Sequence, residues 1–149
     1  MPYHMIYNPP PLRITSPDGH SWLELRPFQD ESGYYDACEF DACIDYGNSS
    51  FRGVNRDVQF LNLQEFQSDF DRFIMDRSLR PSLNGTYDCL AMFHGQGTKV
   101  HLQFCLGDAF CGGALPVQET RIRGAFAVDG EQLNAINAFF EAWRPIKFP

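Results

Sequence analysis

The sequence predicts an α+β fold in which an antiparallel β-sheet carries two amphipathic helices packed on one face. Three observations carry that reading. Alternation is clearest over residues 34–46, with Cys38, Phe40, Ala42, Ile44 and Tyr46 on one side and Glu39, Asp41, Cys43 and Asp45 on the other, the period of a half-buried strand. Two later segments change to helical spacing, Leu63, Phe66, Phe70, Phe73 and Ile74, and then Leu133, Ile136, Phe140 and Trp143. The links between neighbouring strands have hairpin length, and two helices are too few for a parallel βαβ wind.

Taken in order, residues 1–11 end in Pro9-Pro10-Pro11 and read as an extended surface arm. Leu12 to Thr15 and Trp22 to Arg26 flank the turn Ser16-Pro17-Asp18-Gly19, an opening hairpin with Leu23 and Leu25 facing one way and Trp22, Glu24 and Arg26 the other. After the 34–46 strand, Gly47-Asn48-Ser49 turns the chain into a strand over residues 50–61, with a bulge expected within Gly53-Val54-Asn55-Arg56. Asn62 and Glu65 have the spacing of a capping box, which starts the first helix near Leu63, and Arg77 and Arg80 lie at the negative end of its dipole.

Residues 85–93 and 99–106 are predicted strands joined by the loop His94 to Thr98. With Phe93 opposite Lys99, the core face would carry Leu90, Met92, Val100, Leu102 and Phe104, and Cys89, His101 and Cys105 would share the other face. Residues 107–118, with Gly112-Gly113 and Pro116, read as a loop, and residues 120–128 as the last strand. Asp129 and Gln132 repeat the capping-box spacing before the second helix, which ends ahead of Pro145. The expected core is Phe40, Ile44, Val58, Phe60, Phe66, Phe70, Phe73, Leu90, Leu102, Phe104, Phe126, Ile136, Phe140 and Trp143.

Composition narrows the function classes. At 149 residues, 44% of them hydrophobic and 14 of them Phe, the chain forms one domain with a core large enough to need no staple. A net charge of -7 argues against nucleic acid, whose phosphates require a basic patch, and favours a basic partner. No apolar run reaches the length of a membrane span and the N-terminus lacks the pattern of a signal peptide, so a cytoplasmic protein without a membrane role is expected. Five cysteines without C-x-x-C spacing predict neither a disulfide framework nor a zinc knuckle.

The candidate binding residues are Glu39, Asp41 and Asp45. Carboxylates two residues apart on one strand face repel one another unless a cation or a basic partner is close. A divalent metal would need further oxygen ligands, and no accompanying motif supplies them. Cys89, His101 and Cys105 would suit zinc only if the hairpin register brings them together. No arrangement of residues marks a catalytic site.

The strand Phe51-Arg52-Gly53 through Asp57-Val58-Gln59-Phe60, the capped helix at Leu63 to Phe73, and the late strand Phe126-Ala127-Val128-Asp129 running into a terminal helix resemble WapI-type immunity proteins of bacterial polymorphic toxin systems. The resemblance covers roughly residues 34–143. It implies a curved antiparallel sheet with two helices, no catalytic residues and no cofactor, and a role in binding and neutralising a cognate toxin domain. The proline-rich arm, the cysteine content and the 107–118 segment depart from the pattern. An oligomeric scaffold subunit or a small-ligand-binding domain is the alternative reading of the same residues.

Overall fold

The computed structural model describes residues 4–6, 9–28, 36–107, 110–112, 115–118, 120–143 and 145–147. The order is β1 (His4–Ile6), β2 (Leu12–Thr15), β3 (Trp22–Phe28), β4 (Ala37–Asp45), β5 (Ser50–Gln59), α1 (Leu63–Met75), β6 (Ser82–Asn84), β7 (Leu90–Gln96), β8 (Lys99–Gly107), β9 (Phe110–Gly112), β10 (Leu115–Gln118), β11 (Arg121–Val128), α2 (Gly130–Ala142) and β12 (Pro145–Lys147). All pairings are antiparallel, and the class is α+β. Eight of the strands form two four-stranded sheets, β2-β3-β4-β5 and β11-β8-β7-β6, where the sequence reading has a single sheet, and β1-β12 and β9-β10 form two-stranded ones. One bridge, Phe60↔Gly85, carries the order from β5 to β6.

The alternation of β4 is realised: Cys38, Phe40, Ala42 and Ile44 are buried, and the intervening residues face outward. Between Phe40↔Asn55 and Cys38↔Val58 the β5 strand has one extra residue, a bulge at the C-terminal end of the segment where the sequence expects it. The bulge is anchored by Asn55, whose Oδ1 accepts from the Asp57 amide at 3.0 Å and whose Nδ2 donates to the Gly107 carbonyl of β8 at 3.0 Å. This buried amide ties the first sheet to the second.

The β7–β8 hairpin differs from expectation. Phe93 pairs with Leu102, and the connection is the two-residue turn Gly97-Thr98, with Gly97 at φ +64. Glycine takes that left-handed conformation without the steric cost another residue would meet, so the turn forms later than the predicted five-residue loop and the pairing moves by three positions. An odd displacement exchanges the two faces of β7: Ala91 and Phe93 are buried, while Leu90 and Met92 are only half-buried on the outer face. Phe126 is partly buried against the core, and the other twelve expected core residues are fully buried.

The helices add their apolar stripes to the same core. Leu63, Phe66, Phe70 and Phe73 of α1 meet Leu133, Ile136, Phe139 and Phe140 of α2, with Phe66 and Phe140 ring centroids 4.8 Å apart. Buried Gln67 donates to the carbonyls of Phe140 at 2.9 Å and Trp143 at 2.8 Å, satisfying acceptors left open at the end of α2. Arg77 reaches the Phe73 carbonyl at 3.3 Å, as its place near the α1 C-terminus predicts.

Asp129 caps α2 by accepting from the Gln132 amide at 2.8 Å. Asn62 does not cap α1 through its side chain. Its Nδ2 instead donates to the Ser82 carbonyl and its Oδ1 accepts from the Asn84 amide, both at 2.8 Å, which covers the open edge of β6. Gln132 makes the same two-point contact with the backbone of Thr15, at 2.7 Å each way, and covers the edge of β2.

Two further segments carry pairing that periodicity does not display. β9 and β10 pair within the predicted 107–118 loop, and His4–Ile6 of the proline-rich arm pairs with β12. The predicted start of the β4 strand at Tyr34 lies outside the described residues.

The two sheets approach closely at Gly124. A Cβ there would lie 2.2 Å from Ile44 Cδ1 and 2.6 Å from Phe104 Cζ, well inside contact distance. Gly124→Ala should therefore cost about 1–3 kcal/mol through overpacking, read as a lower urea midpoint at unchanged m. Ile44→Val placed in the same background should recover part of the loss by removing the opposing methyl. An unchanged midpoint for Gly124→Ala would contradict this packing.

Candidate functional site

Among the described residues a continuous cluster of buried apolar side chains lies between sheets and helices, which leaves the outer faces for recognition. On the first sheet, register places Arg26 opposite Glu39, Glu24 opposite Asp41, and Trp22 opposite Cys43, with Val54 and Arg52 facing Asp41 and Cys43 from the other side. Glu24 and Asp41 would repel if they faced each other alone. Arginines from the neighbouring strands intervene instead.

Glu24 accepts from Arg13 Nε at 3.0 Å and from Arg26 Nη2 at 2.7 Å; Arg26 Nε lies 3.7 Å from Glu39; and Arg52 Nη2 donates to Asp41 Oδ2 at 3.2 Å. The Trp22 ring sits between two guanidiniums, with Arg13 Cζ 3.8 Å and Arg52 Cζ 5.2 Å from its centroid. Attraction between each guanidinium and the ring's negative face helps hold the indole in place.

The three sequence candidates therefore lie on one face, as expected, but in different settings. Glu39 and Asp41 enter a row of ion pairs with Arg26 and Arg52. Asp41 Oδ1 is buried and has no hydrogen-bond partner among the described residues. Asp45 accepts from the Gly47 amide at 2.8 Å and shapes the turn into β5. The face is thus of mixed charge, not an acidic patch. Sequence reasoning singled out the carboxylates and missed Arg13, Trp22 and Arg52 as their companions. The alternation of the opening hairpin already put Trp22, Glu24 and Arg26 on the face opposite Leu23 and Leu25, but only the pairing of β3 with β4 brings that face to Glu39 and Asp41.

The excess negative charge lies on the helical layer. Over α1, α2 and their caps, Glu65, Asp69, Asp71, Asp76, Asp129, Glu131 and Glu141 stand against Arg72 alone. Asp69 and Arg72 pair at 2.5 Å within one turn.

On the second sheet the outer face is polar and in part basic. His94 pairs with His101, their rings stacked at 5.6 Å, while Cys105 pairs with Leu90 four residues further along β8, about 13 Å away at strand rise. Cys89 directs its thiol to the Gly107 carbonyl at 3.5 Å. Cys89, His101 and Cys105 therefore do not form a ligand set, and no group of three His, Cys, Asp or Glu placed to hold a metal occurs among the described residues. Beside this face a concavity of about 1040 Å³ is lined by residues including Asp88, Cys105, Arg121 and Arg123. Asp88 and the preceding Tyr87 are consecutive non-glycine residues with φ of 62 and 59, and the Asp88 carboxylate meets Arg121 at 2.5 Å. Such left-handed conformations cost roughly 1–3 kcal/mol each and persist only where the surroundings enforce them.

No family model, curated protein or solved structure matches the chain. No helix among the described residues is long and apolar enough to cross a membrane.

Glu24 is the best-held carboxylate of the first face. Burial alone would raise its pKa, but the hydrogen bonds from Arg26 and Arg13 outweigh burial and hold it below its ordinary value. A lowered folded-state pKa contributes stability that is complete above the unfolded value, about 4.3, and is lost as pH falls through the folded value. Glu24→Gln should thus lower stability at pH 7 by about 1–3 kcal/mol and flatten the decline of stability below pH ~4.3. Urea titrations at pH 7 and pH 3 check this, and an identical pH dependence in both proteins would contradict it.

Proposed function

We propose that the chain is a non-catalytic protein-binding domain of immunity type, which neutralises a toxin domain by docking the outer face of β2-β3-β4-β5 onto it. The single observation that carries this reading is the Arg13–Trp22–Arg52 stack set among Glu24, Glu39 and Asp41 on a rigid strand face. Trp and Arg are the side chains that most often dominate interface energetics, and here ion pairs and ring contacts already hold them in one geometry. A partner then binds without first ordering a loop, which is where much of the cost of association lies. The filled core between sheets and helices favours this reading over a ligand cavity inside the fold.

The partner chemistry follows from the same face. Glu24, Glu39, Asp41 and Asp45 against Arg13, Arg26 and Arg52 leave it close to neutral, with Glu39, 3.7 Å from Arg26, and Asp45, bonded to the Gly47 amide, the carboxylates least committed to the arginines. A basic toxin surface is attracted over longer distance by the acidic helical layer and is held at short range by the Trp22 stack and by carboxylates released from their arginines. Steering and docking are thereby assigned to different parts of the molecule.

Surface plasmon resonance against a toxin domain encoded by any gene adjacent to that of this chain tests the proposal. Trp22→Ala should weaken affinity by roughly 30-fold or more, chiefly through faster dissociation, at an unchanged melting temperature. Replacing Glu39, Asp41 and Asp45 together by Gln or Asn should change k_on less than about threefold, because Arg26 and Arg52 already offset two of these charges. Wild-type affinity in Trp22→Ala, or no complex at all, would contradict the proposal.

A further inference from the structure

We propose that the concavity on the outer face of the second sheet binds a small anion with two or more negative groups, a polycarboxylate or a polyphosphate, clamped by Arg121 and Arg123. Nothing in this inference depends on the partner-binding face of the first sheet. Its basis is a contrast of charge: in a chain of 19 carboxylates and 12 Lys or Arg, the outward positions of β7, β8 and β11 carry Lys99, Arg121 and Arg123 and no carboxylate.

The sheet itself aims the two arginines. Ile122, Gly124, Phe126 and Val128 of β11 pair with Leu106, Phe104, Leu102 and Val100 on the core side, so Arg121 and Arg123 must point out together. Two residues along a strand span about 6.8 Å, a separation at which two guanidinium forks can grip different ends of one polyanion. Beneath Arg123 its cross-strand neighbour Cys105 is buried, and Leu90 and Ala125 continue an apolar floor, so charge placed here is less screened than on an open surface. Gln103 and Asn84 add neutral polar groups to the lining.

Asp88 supplies the second argument. It reaches Arg121 at 2.5 Å from a turn held in left-handed conformation, occupying one arm of the clamp as an incoming carboxylate would. Arg123 has no ion-pair partner among the described residues. An entering anion therefore takes Arg123 directly and competes with Asp88 for Arg121. The net charge of -7 opposes a long polyanion, which favours a small ligand over nucleic acid.

The experiment titrates the whole chain with citrate in one arm and inorganic pyrophosphate in the other, at about 50 mM salt, following the arginine Nε–Hε signals by NMR. Saturable shifts at Arg121 and Arg123 are expected, and the arm that saturates at lower concentration identifies carboxylate or phosphate as the preferred chemistry. Arg123→Gln should weaken that anion at least tenfold. Asp88→Asn should tighten it several-fold, since it removes the competing carboxylate while Asn still tolerates the left-handed backbone. Saturation with neither anion, equal binding by Arg123→Gln, or no gain in Asp88→Asn would overturn the proposal. Tighter binding of a mixed-sequence oligonucleotide than of either small anion would overturn it as well.

Discussion

The molecule depends on the closure of one sheet against the other, where Ile44 of β4 sits over Gly124 of β11 and the Asn55 amide reaches the Gly107 carbonyl of β8. The first contact requires that position 124 carry no side chain, and the second requires the β5 bulge that turns Asn55 inward. Neither sheet can bury its inner face alone, because each has only four strands and two helices must serve both. Once Ile44 and Asn55 bring the sheets together, Phe40, Phe60, Phe104 and Trp143 share one core with the phenylalanines of α1 and α2. Gln67 then locks helix to helix, and Asn62 and Gln132 close the edges of β6 and β2.

Closure also decides where function can reside. With the inner faces consumed by packing, chemistry is left to the outer faces, and these differ in charge. The helical layer is acidic, the first sheet presents arginines and carboxylates interleaved around Trp22, and the second sheet presents arginines beside a concavity. A mixed-charge face is more selective than a uniformly acidic one, because a partner must match the sequence of signs and not only their sum. The internal pairing has an energetic consequence too. Exposed ion pairs contribute little to stability, about 0–1 kcal/mol each, so the contact between the exposed side chains of Arg26 and Glu39 can be exchanged for an external one at small cost.

Much of this was legible in the chain. The phase of α1 follows from Leu63, Phe66, Phe70 and Phe73, all of which are buried, and the face of β4 follows from the alternation from Cys38 to Asp45. Leu90 was misplaced because Gly97 and Thr98 alone make the turn, where the sequence reading spreads the loop over residues 94–98. β6 has three residues and β9 another three, too few for any period to register. Asn62 occupies a capping position, yet the open edge of β6 competes for its side chain and wins with two hydrogen bonds where a cap would make one. The surroundings of Glu39 and Asp41 were hidden for a different reason. Alternation states which way a side chain points, but only strand order states what stands beside it, and Arg26 and Arg52 arrive from the strands on either side of β4.

The central claim is that a protein partner docks on the first sheet while the acidic helices only attract it. Amide hydrogen exchange of the chain, free and with the proposed protein partner bound, separates the two surfaces directly. The account predicts added protection across residues 12–15, 22–28 and 37–59, with residues 63–75 and 130–142 unchanged. Added protection confined to the helices, with the first sheet exchanging as in the free protein, would contradict it.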